Sequence, residues 1–473
     1  MTTRQKLTSA LIVLAIASPL LVGSWVAALP VGTSLPLESW LARYDGIGHS
    51  GDWGNDMKIA PDGSRVFVTG ETWTGSDRDF LTVAYTSGGS QLWTNRFVPG
   101  QSARALDVSP DGNVLVVTGF GPWMKIVTVA INAVSGTTLW SHSYANPHVG
   151  VYSTWDEGKE VLFSSDGTKV VIAGSAKGPD GSTDFVALGL DASTGSELWR
   201  AGFGSATKQD EYLSAAAVSA DSTRLYLAGS TGLNASADMA LVAFDMATGT
   251  KTWDYLRDLD SRRDAGTGLA IGSDGLLYFA GAGQVGGDTF DHFDSFVTAL
   301  RPNGEVKWER RDAALPGVFD APGGLTFVPG VGVDDGLLVS GGGVIAFAAP
   351  YHSAGLVVAR DPQDGSIRWT WDPSPALFES IRALVPSPDG GSILALGSVD
   401  LGTGWDYGIA RLATANGAPL WSARYDAGLY DLPQAAAFSP DGHRVYVSGA
   451  SQSQSNGMDY VTLAYCIPAP LVC

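Results

Sequence analysis

The chain of 473 residues is poor in cysteine, histidine and charge. Its two cysteines, Cys466 and Cys473, both lie at the extreme C-terminus, so no framework of disulfides can organise the fold. In an oxidising compartment they could pair and close a small tail loop, and otherwise they are two tail thiols. The six histidines show no spacing typical of metal ligands. Apolar residues make up 45% of the chain, which is ample for a large core.

Positive charge is particularly scarce. The chain has 29 Lys and Arg against 48 Asp and Glu, a formal net charge of −19. A surface with this balance repels nucleic acid and anionic lipid. We therefore expect no nucleic-acid partner, and no membrane contact beyond the N-terminal segment.

Long hydrophobic runs are absent outside residues 1–28. In that segment Arg4 and Lys6 precede an apolar run from Ala10 to Val26, followed by small residues at a plausible cleavage point. This pattern predicts a signal peptide and a secreted or periplasmic protein. An uncleaved membrane anchor is the alternative, because the run approaches ~20 residues. Residues 29–37 are predicted to be a linker, and 467–473 a tail without secondary structure.

The remainder of the chain is a repeat. Residues 52–85 and 431–465 align over their full length with one single-residue gap. Each unit has a run ending in a Pro-Asp-Gly type of turn, a strand ending in Gly, a third strand and a turn leading to Trp. The Gly occurs eight times, at Gly70, Gly119, Gly174, Gly229, Gly281, Gly341, Gly397 and Gly449. The Trp also occurs eight times, at Trp40, Trp93, Trp140, Trp199, Trp253, Trp308, Trp369 and Trp421.

The repeat predicts an all-β fold, an eight-bladed β-propeller of four-stranded antiparallel blades. Short β-branched and aromatic runs between turn residues indicate strands, and four strands in roughly 40–50 residues are typical of a propeller blade. The segment around Trp40 (ESWLARYD) is similar to that around Trp421 (PLWSARYD). We therefore expect the N-terminal strand to complete the last blade and close a ring over residues 38–466, which removes the open edge.

The turn leading to Trp carries a resemblance to a known family. AFDMATGTKTW (243–253) and GLDASTGSELW (189–199) resemble the Trp-docking motif of PQQ-like propellers, the quinoprotein alcohol dehydrogenase-like group. The resemblance implies that each Trp locks adjacent blades together. Cofactor-using members carry an adjacent-cysteine disulfide against the quinone and a calcium ion held by Glu, Asn and Asp. This sequence has no Cys-Cys pair and no Cys-x-x-Cys-His, so we expect neither PQQ nor haem.

Carboxylates recur nine residues before the turn proline, or its equivalent, in seven of the eight units. The resemblance places these positions at the mouth of the central channel, where a ring of oxygen ligands could bind calcium. Their repetition in nearly every blade favours a structural role instead, with each carboxylate accepting backbone N–H bonds in its own loop. These rim carboxylates are Asp52, Asp156, Glu211, Asp264, Asp320, Glu379 and Asp431, and Gln101 occupies the eighth position.

A second recurring acid opens the third strand, and we interpret it as structural. It is found at Asp79, Asp184, Asp238, Asp294, Asp406 and Asp459.

Five tryptophans outside the anchor set and the signal segment lie in loops that are expected to share one face of the ring. The loops on this face vary in length, whereas the opposite face has near-constant turns, and variable loops commonly carry specificity. Exposed aromatics beside carboxylates suit contact with sugar or peptide. The alternative is that they cover the ends of the blades. These candidate ligand-binding residues are Trp53, Trp73, Trp123, Trp155 and Trp405.

Together these patterns predict a secreted, monomeric binding or scaffold protein without a recognisable catalytic site. Its partner would be an extracellular protein or glycan bound on the loop-rich face. Two enzymatic alternatives remain. One is an oxidoreductase of the quinoprotein type, and the other is a carbohydrate-active enzyme that uses two rim carboxylates.

Overall fold

The computed structural model describes most of the chain from Leu37 to Ile467. The described residues are 37–49, 51–148, 156–206, 208–232, 237–258, 263–284, 293–312, 318–330, 336–346, 352–373, 378–400, 402, 404–452 and 457–467. Within the strands, the side chains of 318–322, 344–346 and 352–354 are outside this description. The predicted signal segment 1–28 and nearly all of the predicted linker and tail also lie outside it.

The first four blades follow one another along the chain. Blade 1 contains β2 (Trp53–Ile59), β3 (Arg65–Trp73), β4 (Arg78–Thr86) and β5 (Gln91–Phe97). Blade 2 contains β6 (Ser102–Val108), β7 (Val114–Gly121), β8 (Lys125–Asn132) and β9 (Thr138–Ser143). Blade 3 contains β10 (Glu157–Phe163), β11 (Lys169–Lys177), β12 (Thr183–Asp191) and β13 (Glu197–Phe203). Blade 4 contains β14 (Glu211–Val218), β15 (Arg224–Thr231), β16 (Asp238–Asp245) and β17 (Lys251–Arg257).

The other four blades complete the ring. Blade 5 contains β18 (Asp264–Ile271), β19 (Leu277–Gln284), β20 (Phe293–Leu300) and β21 (Val306–Asp312). Blade 6 contains β22 (Val318–Val328), β23 (Leu337–Ala346), β24 (His352–Arg360) and β25 (Ile367–Trp371). Blade 7 contains β26 (Ser380–Pro386), β27 (Ser392–Asp400), β28 (Trp405–Ala413) and β29 (Pro419–Tyr425). Blade 8 contains β30 (Asp431–Phe438), β31 (Arg444–Gln452), β32 (Met458–Cys466) and β1 (Leu37–Tyr44).

Every blade is an antiparallel meander, which confirms the predicted eight-bladed propeller. The N-terminal strand closes the ring as expected. Strand β1 pairs antiparallel with β32, with Trp40 opposite Ala464 and Tyr44 opposite Tyr460. The single helical element in the described part of the chain is a 3-10 turn, η1 (Pro122–Met124), between β7 and β8. The alternating direction of the strands puts the loop between second and third strands, and the connection to the next blade, on one face. We call it the loop-rich face.

The core lies between neighbouring blades. In one cluster, Val171 and Phe185 of blade 3 pack with Leu225 and Val242 of blade 4, and all four are fully buried. Burying both faces of each sheet explains why the second and third strands are nearly continuous runs of apolar residues. The same packing spans the closure, where residues of β3 and β4 contact residues of β31 and β32.

The anchor tryptophans dock onto the next blade. Seven of them donate the indole N–H to a backbone carbonyl in the turn between the third and fourth strands of the following blade. A glycine with positive φ in that turn packs against the ring, and an added Cβ would overlap it. The donor and acceptor pairs are Trp40–Ser87, Trp93–Ala133, Trp140–Ala192, Trp199–Met246, Trp253–Pro302, Trp308–Pro362 and Trp369–Thr414, at 2.8 to 3.3 Å.

The eighth anchor, Trp421, differs because it faces the closure. The third and fourth strands of blade 8 come from opposite ends of the chain, so no turn joins them. Trp421 is still buried and packs against Tyr465, with ring centroids 6.2 Å apart. Its Nε1 has no hydrogen-bond partner among the described residues. Cys466, the last residue of β32, takes part in a disulfide bond, while Cys473 lies outside the described residues.

A glycine substitution can measure this docking directly. Gly249 has φ +70°, and a Cβ there would lie 2.6 Å from the ring of Trp199. Gly181 has φ +89°, but a Cβ there would meet nothing within 4 Å. Gly249→Ala should therefore destabilise the protein by roughly 1–3 kcal/mol more than Gly181→Ala, because only the first adds overlap to backbone strain. Chemical denaturation of both variants measures the difference, and equal losses would show that the indole contact contributes little.

Candidate functional site

Five of the rim carboxylates, Asp52, Asp156, Glu211, Asp264 and Asp431, are fully buried at the starts of the first strands. Asp52 accepts hydrogen bonds from Gly46 N at 2.5 Å, Thr72 Oγ1 at 2.6 Å and Trp73 N at 3.2 Å. Asp156 accepts from Lys177 N at 2.9 Å, and Asp431 accepts from Ala427 N at 2.7 Å. Each of these bonds ties a loop of the loop-rich face to the inner strand. The choice between a structural role and a cation-binding role for these carboxylates remains a prediction.

The other rim positions are less uniform. Glu211 and Asp264 are also fully buried, whereas Glu379 is half-buried. Burial raises the pKa of Glu379, and the charge of Asp400 adds to this shift. The side chain of Asp320 lies outside the described residues.

Three groups of carboxylates lie at junctions between blades, with an oxygen of each member within 4.8 Å of the others. Each group combines the third-strand Asp of one blade, the Asp after its fourth strand and the rim carboxylate of the next blade. Such groups could hold a cation through oxygen ligands, so a calcium site, which the sequence allows without requiring it, stays a prediction. The groups are Asp45–Asp52–Asp459, Asp238–Asp258–Asp264 and Asp406–Asp426–Asp431.

Arginines neutralise part of this negative charge. They were not among the residues predicted from the sequence. In four blades an Arg three residues after the anchor Trp forms an ion pair with the Asp that opens the third strand. The signal that could have revealed them is the motif Trp-x-x-Arg, which occurs in these four blades. The pairs are Arg43–Asp459 at 2.8 Å, Arg96–Asp79 at 3.3 Å, Arg311–Asp294 and Arg424–Asp406.

Charged side chains on the first strands of blades 1 to 3 were also missed. Asp56 accepts a hydrogen bond from Leu106 N of blade 2 at 2.9 Å, and Asp107 accepts one from Phe163 N of blade 3 at 3.1 Å. Burial raises the pKa of Glu160, on the first strand of blade 3, to about 7. The short inner strands show no clear alternation, so the sequence did not indicate which of these residues pack against the next blade.

The raised pKa of Glu211 predicts that the stability of the protein depends on pH. Burial raises its pKa from the ordinary value of 4.5 to about 7, and the charge of Asp184 adds to this shift, while the hydrogen bond from Ser205 N at 3.0 Å opposes it. A carboxyl whose pKa is higher in the folded state stabilises the protein below the unfolded pKa. That contribution is lost as the pH rises through the folded value.

The wild-type protein should therefore lose stability between about pH 4.5 and pH 7. Glu211→Gln should remove part of this loss, so its melting temperature should exceed that of the wild type at pH 8 more than at pH 4. Thermal unfolding of both proteins across this range measures the effect. Parallel profiles for the two proteins would contradict it.

The candidate tryptophans differ in exposure. Trp53 and Trp73 are half-buried, Trp123 is 57% exposed and Trp405 is 36% exposed. Trp123 lies in η1 with φ +66° and ψ +25°, a left-handed conformation that is uncommon for a bulky residue. Trp155 lies outside the described residues. The structure therefore presents Trp123 and Trp405 to solvent, whereas Trp53 and Trp73 are partly covered.

Other exposed apolar side chains join them on the loop-rich face. Leu429 and Tyr430 lie between blades 7 and 8, and Tyr430 is 50% exposed. A backbone bridge joins Tyr430 to Trp405. Ile47 lies between blades 8 and 1, and Val98 between blades 1 and 2. These residues do not recur at a fixed position in the repeat, because the loops that contain them differ in length.

These six residues, Ile47, Val98, Trp123, Trp405, Leu429 and Tyr430, are called the apolar patch. They lie in four successive blades, 7, 8, 1 and 2. Among the described residues, the remaining large exposed apolar side chains lie on or beside the fourth strands and in turns of the opposite face.

The ring of eight blades, locked by tryptophans at their turns, defines a PQQ-like β-propeller repeat protein. A family model described as outer membrane protein assembly factor BamB matches residues 124–317 and 293–454. The chain therefore belongs to this PQQ-like repeat family. No curated protein sequence is significantly similar to the chain.

Solved structures share the fold at low sequence identity. One is Sqt1 from Chaetomium thermophilum bound to the N-terminus of ribosomal protein L10, with 13% identity and a TM-score of 0.59, covering 91% of this chain and 100% of that one. Another is the quinohemoprotein alcohol dehydrogenase from Comamonas testosteroni, with 13% identity and a TM-score of 0.55, covering 92% and 78%. One of these neighbours binds a protein segment and the other is an enzyme, so the fold alone does not identify a function.

The residues of this chain do not fit the PQQ site that the resemblance describes. The only two cysteines are not adjacent in sequence, so the disulfide that contacts the quinone cannot form. The rim carboxylates Asp52, Asp156 and Asp431 accept backbone hydrogen bonds from Trp73, Lys177 and Ala427.

Within the described part of the chain, no helix reaches the length and hydrophobicity that a membrane crossing requires.

Proposed function

We propose that this protein is a binding protein of the secreted or periplasmic space that contacts a protein or glycan with its apolar patch. The observation that carries the proposal is that, among the described residues, exposed aromatic and aliphatic side chains lie on the loop-rich face in blades 7, 8, 1 and 2. Binding surfaces are enriched in aromatic residues, and a few of them contribute most of the affinity.

The backbone around Trp405 supports this role because it is held in place before any ligand binds. Gly404 packs so closely that a Cβ would lie 1.5 Å from the carbonyl oxygen of Leu429. The carbonyl of Tyr430 accepts a hydrogen bond from Gln452 N at 2.7 Å. A fixed loop loses little conformational entropy on binding, so its aromatic side chains contribute more to affinity.

The strained backbone of Trp123 supports a functional role at the other end of the patch. Its left-handed conformation costs on the order of 1–2 kcal/mol, and such residues cluster at binding sites. The side chain of Trp123 is 57% exposed. Asp406 and Asp426 lie near Trp405 with Arg424 between them, so polar groups border the apolar surface.

The proposed location rests on the family and on the N-terminal segment. PQQ-like propellers are often periplasmic or extracellular, and residues 1–28 have the pattern of a signal peptide. N-terminal sequencing of the protein recovered from its own cells would test this part, since cleavage near Ala28 is expected. Full-length protein retained in the cytoplasm would contradict it.

A glycan array compared with a set of extracellular proteins tests the binding role. Trp405→Ala combined with Tyr430→Ala should weaken any detected binding by about tenfold or more, with little change in melting temperature. Leu420→Ala is the matched control, because Leu420 is in the same blade and similarly exposed, at 38%, but lies on the fourth strand. Unchanged affinity in the double variant, or equal losses in the control, would contradict the proposal.

A further inference from the structure

Blade 3 has a carboxylate without the arginine that four of its counterparts have. In blades 1, 5, 7 and 8 the Asp that opens the third strand is paired with an Arg of the fourth strand. Asp184 opens the third strand of blade 3 in the same place. It accepts a hydrogen bond from the hydroxyl of Ser182 at 3.2 Å, and no ion pair joins it to any other described residue.

The register of the strands shows what replaces the arginine. Arg43 lies opposite Val461, and Arg96 lies opposite Leu81, in each case two residues after the paired Asp. In blade 3, the residue opposite Val186, two after Asp184, is Gly202. Gly202 therefore stands in the position of the arginine.

A cavity of about 350 Å³ lies at this position. Asp184, Val186, Gly202 and Gly204 line it. A Cβ at Gly202 would contact only the carbonyl oxygen of Phe185, at 3.4 Å, so a side chain from this position has room. At Gly204 a Cβ would lie 2.7 Å from a carboxylate oxygen of Asp184. The absence of side chains at the two glycines is therefore what opens the space beside the carboxylate.

The cations that line the cavity are already paired with other acids. Arg200 binds Glu197 through Nε at 2.6 Å, and its guanidinium lies over the ring of Tyr144. Lys177 lies 3.5 Å from Asp210. Neither forms an ion pair with Asp184, so the negative charge in the cavity wall has no arginine partner of the kind found in blades 1, 5, 7 and 8.

A second carboxyl group lies beside this charge. Glu211, from the neighbouring blade 4, is fully buried, and a hydrogen bond between its carboxyl group and Asp184 favours the ionised form of Asp184. The charge of Asp184 acts on Glu211 and helps to keep its pKa high. A cation that entered the cavity would relieve this repulsion, which adds to the attraction by Asp184 alone.

We propose that the blade 3 cavity binds the guanidinium group of an arginine side chain from a partner polypeptide. The group would occupy the place that Arg43, Arg96, Arg311 and Arg424 occupy in their own blades. Arginine suits this site because its planar fork binds a carboxylate through two hydrogen bonds. The site is on the loop-rich face but in blade 3, outside the apolar patch. Its test is therefore independent of the test of the function proposed above.

Filling the cavity from within the chain is the first test. Gly202→Arg should raise the melting temperature, because the new side chain can pair with Asp184 as in the other blades. The same substitution together with Asp184→Asn should give a smaller rise or none. Gly202→Leu is the control for volume without charge. An equal rise in melting temperature for Gly202→Leu and Gly202→Arg would overturn the proposal. So would a rise for Gly202→Arg that persists together with Asp184→Asn.

Binding of a guanidinium compound is the second test. N-acetylarginine amide, titrated into the full chain up to about 10 mM, should bind with millimolar affinity, followed by NMR chemical shifts of blade 3. N-acetylcitrulline amide, which has the same shape without charge, should bind at least tenfold more weakly. Gly202→Arg should abolish binding, and Asp184→Asn should weaken it at least tenfold.

A comparison of agmatine with a short arginine-containing peptide shows whether the guanidinium group comes from a small molecule or from a polypeptide. Stronger binding of the peptide would support a partner polypeptide, and stronger binding of agmatine would overturn that part. Equal binding of the arginine and citrulline compounds, or arginine binding that survives Gly202→Arg, would overturn the site itself.

Discussion

Trp199→Ala should lower the free energy of unfolding by roughly 3–5 kcal/mol, as for other buried aromatic residues. Trp199 is 7% exposed, and its Nε1 donates to the carbonyl of Met246 at 3.0 Å. Its ring also covers Gly249 of the next blade. Alanine would leave a cavity between blades 3 and 4 and would leave that carbonyl without its donor. Denaturant titration followed by circular dichroism measures the loss.

Leu198→Ala is the matched control for this substitution. Leu198 is the neighbour of Trp199 on the same strand, but it points outward and is 49% exposed. Its truncation should cost less than about 1 kcal/mol. A loss below ~1 kcal/mol for Trp199→Ala, or equal losses for the two variants, would show that the tryptophans do not lock the blades.

Removal of β1 should also strongly destabilise the protein. A chain that begins after Tyr44 loses the partner of β32 and the anchor Trp40, whose indole packs on Tyr85 and Tyr446. The loss of Trp40 alone should cost roughly 3–5 kcal/mol. The exposed edge of β32 should also promote association between chains. Light scattering and thermal unfolding of the truncated protein measure both effects.

A chain that begins at Leu37 is the control, since it keeps β1 and removes only the preceding residues. It should remain monomeric with the melting temperature of the full chain. A peptide of residues 37–44 added to the shorter protein should restore part of the lost stability. A shorter protein that is monomeric and as stable as the control would contradict closure by the N-terminal strand.

The repeat made the architecture predictable from the sequence. The eight Trp and Gly positions indicate the number of blades, and the similarity between the segments around Trp40 and Trp421 indicates the closure. The unpaired indole N–H of Trp421 could not be predicted, because it depends on chain ends that are remote in sequence. The sequence also indicated that rim acids such as Asp52 and Asp431 bind their own loops.

The candidate binding residues were less predictable. Trp123 and Trp405 were predicted as candidates because both follow the second-strand Gly, in loops of variable length on one face of the ring. Leu429 and Tyr430 were missed, because a loop of variable length has no period that would show which side chains reach solvent. The cavity beside Asp184 was missed for another reason. It depends on the absence of a side chain at Gly202, and this absence has meaning only when the strand register places it opposite Val186.

Photo-crosslinking from defined positions tests the proposed binding face most directly. A benzoylphenylalanine at Tyr430, Ile47 or Trp123 would place the reactive group in the apolar patch. The same residue at Val134, an exposed position in a turn of the opposite face, is the control. After irradiation in the extracellular fraction of the source cells, one partner should be crosslinked from the three patch positions and not from Val134. Crosslinks to that partner from Val134, with none from the patch, would contradict the account.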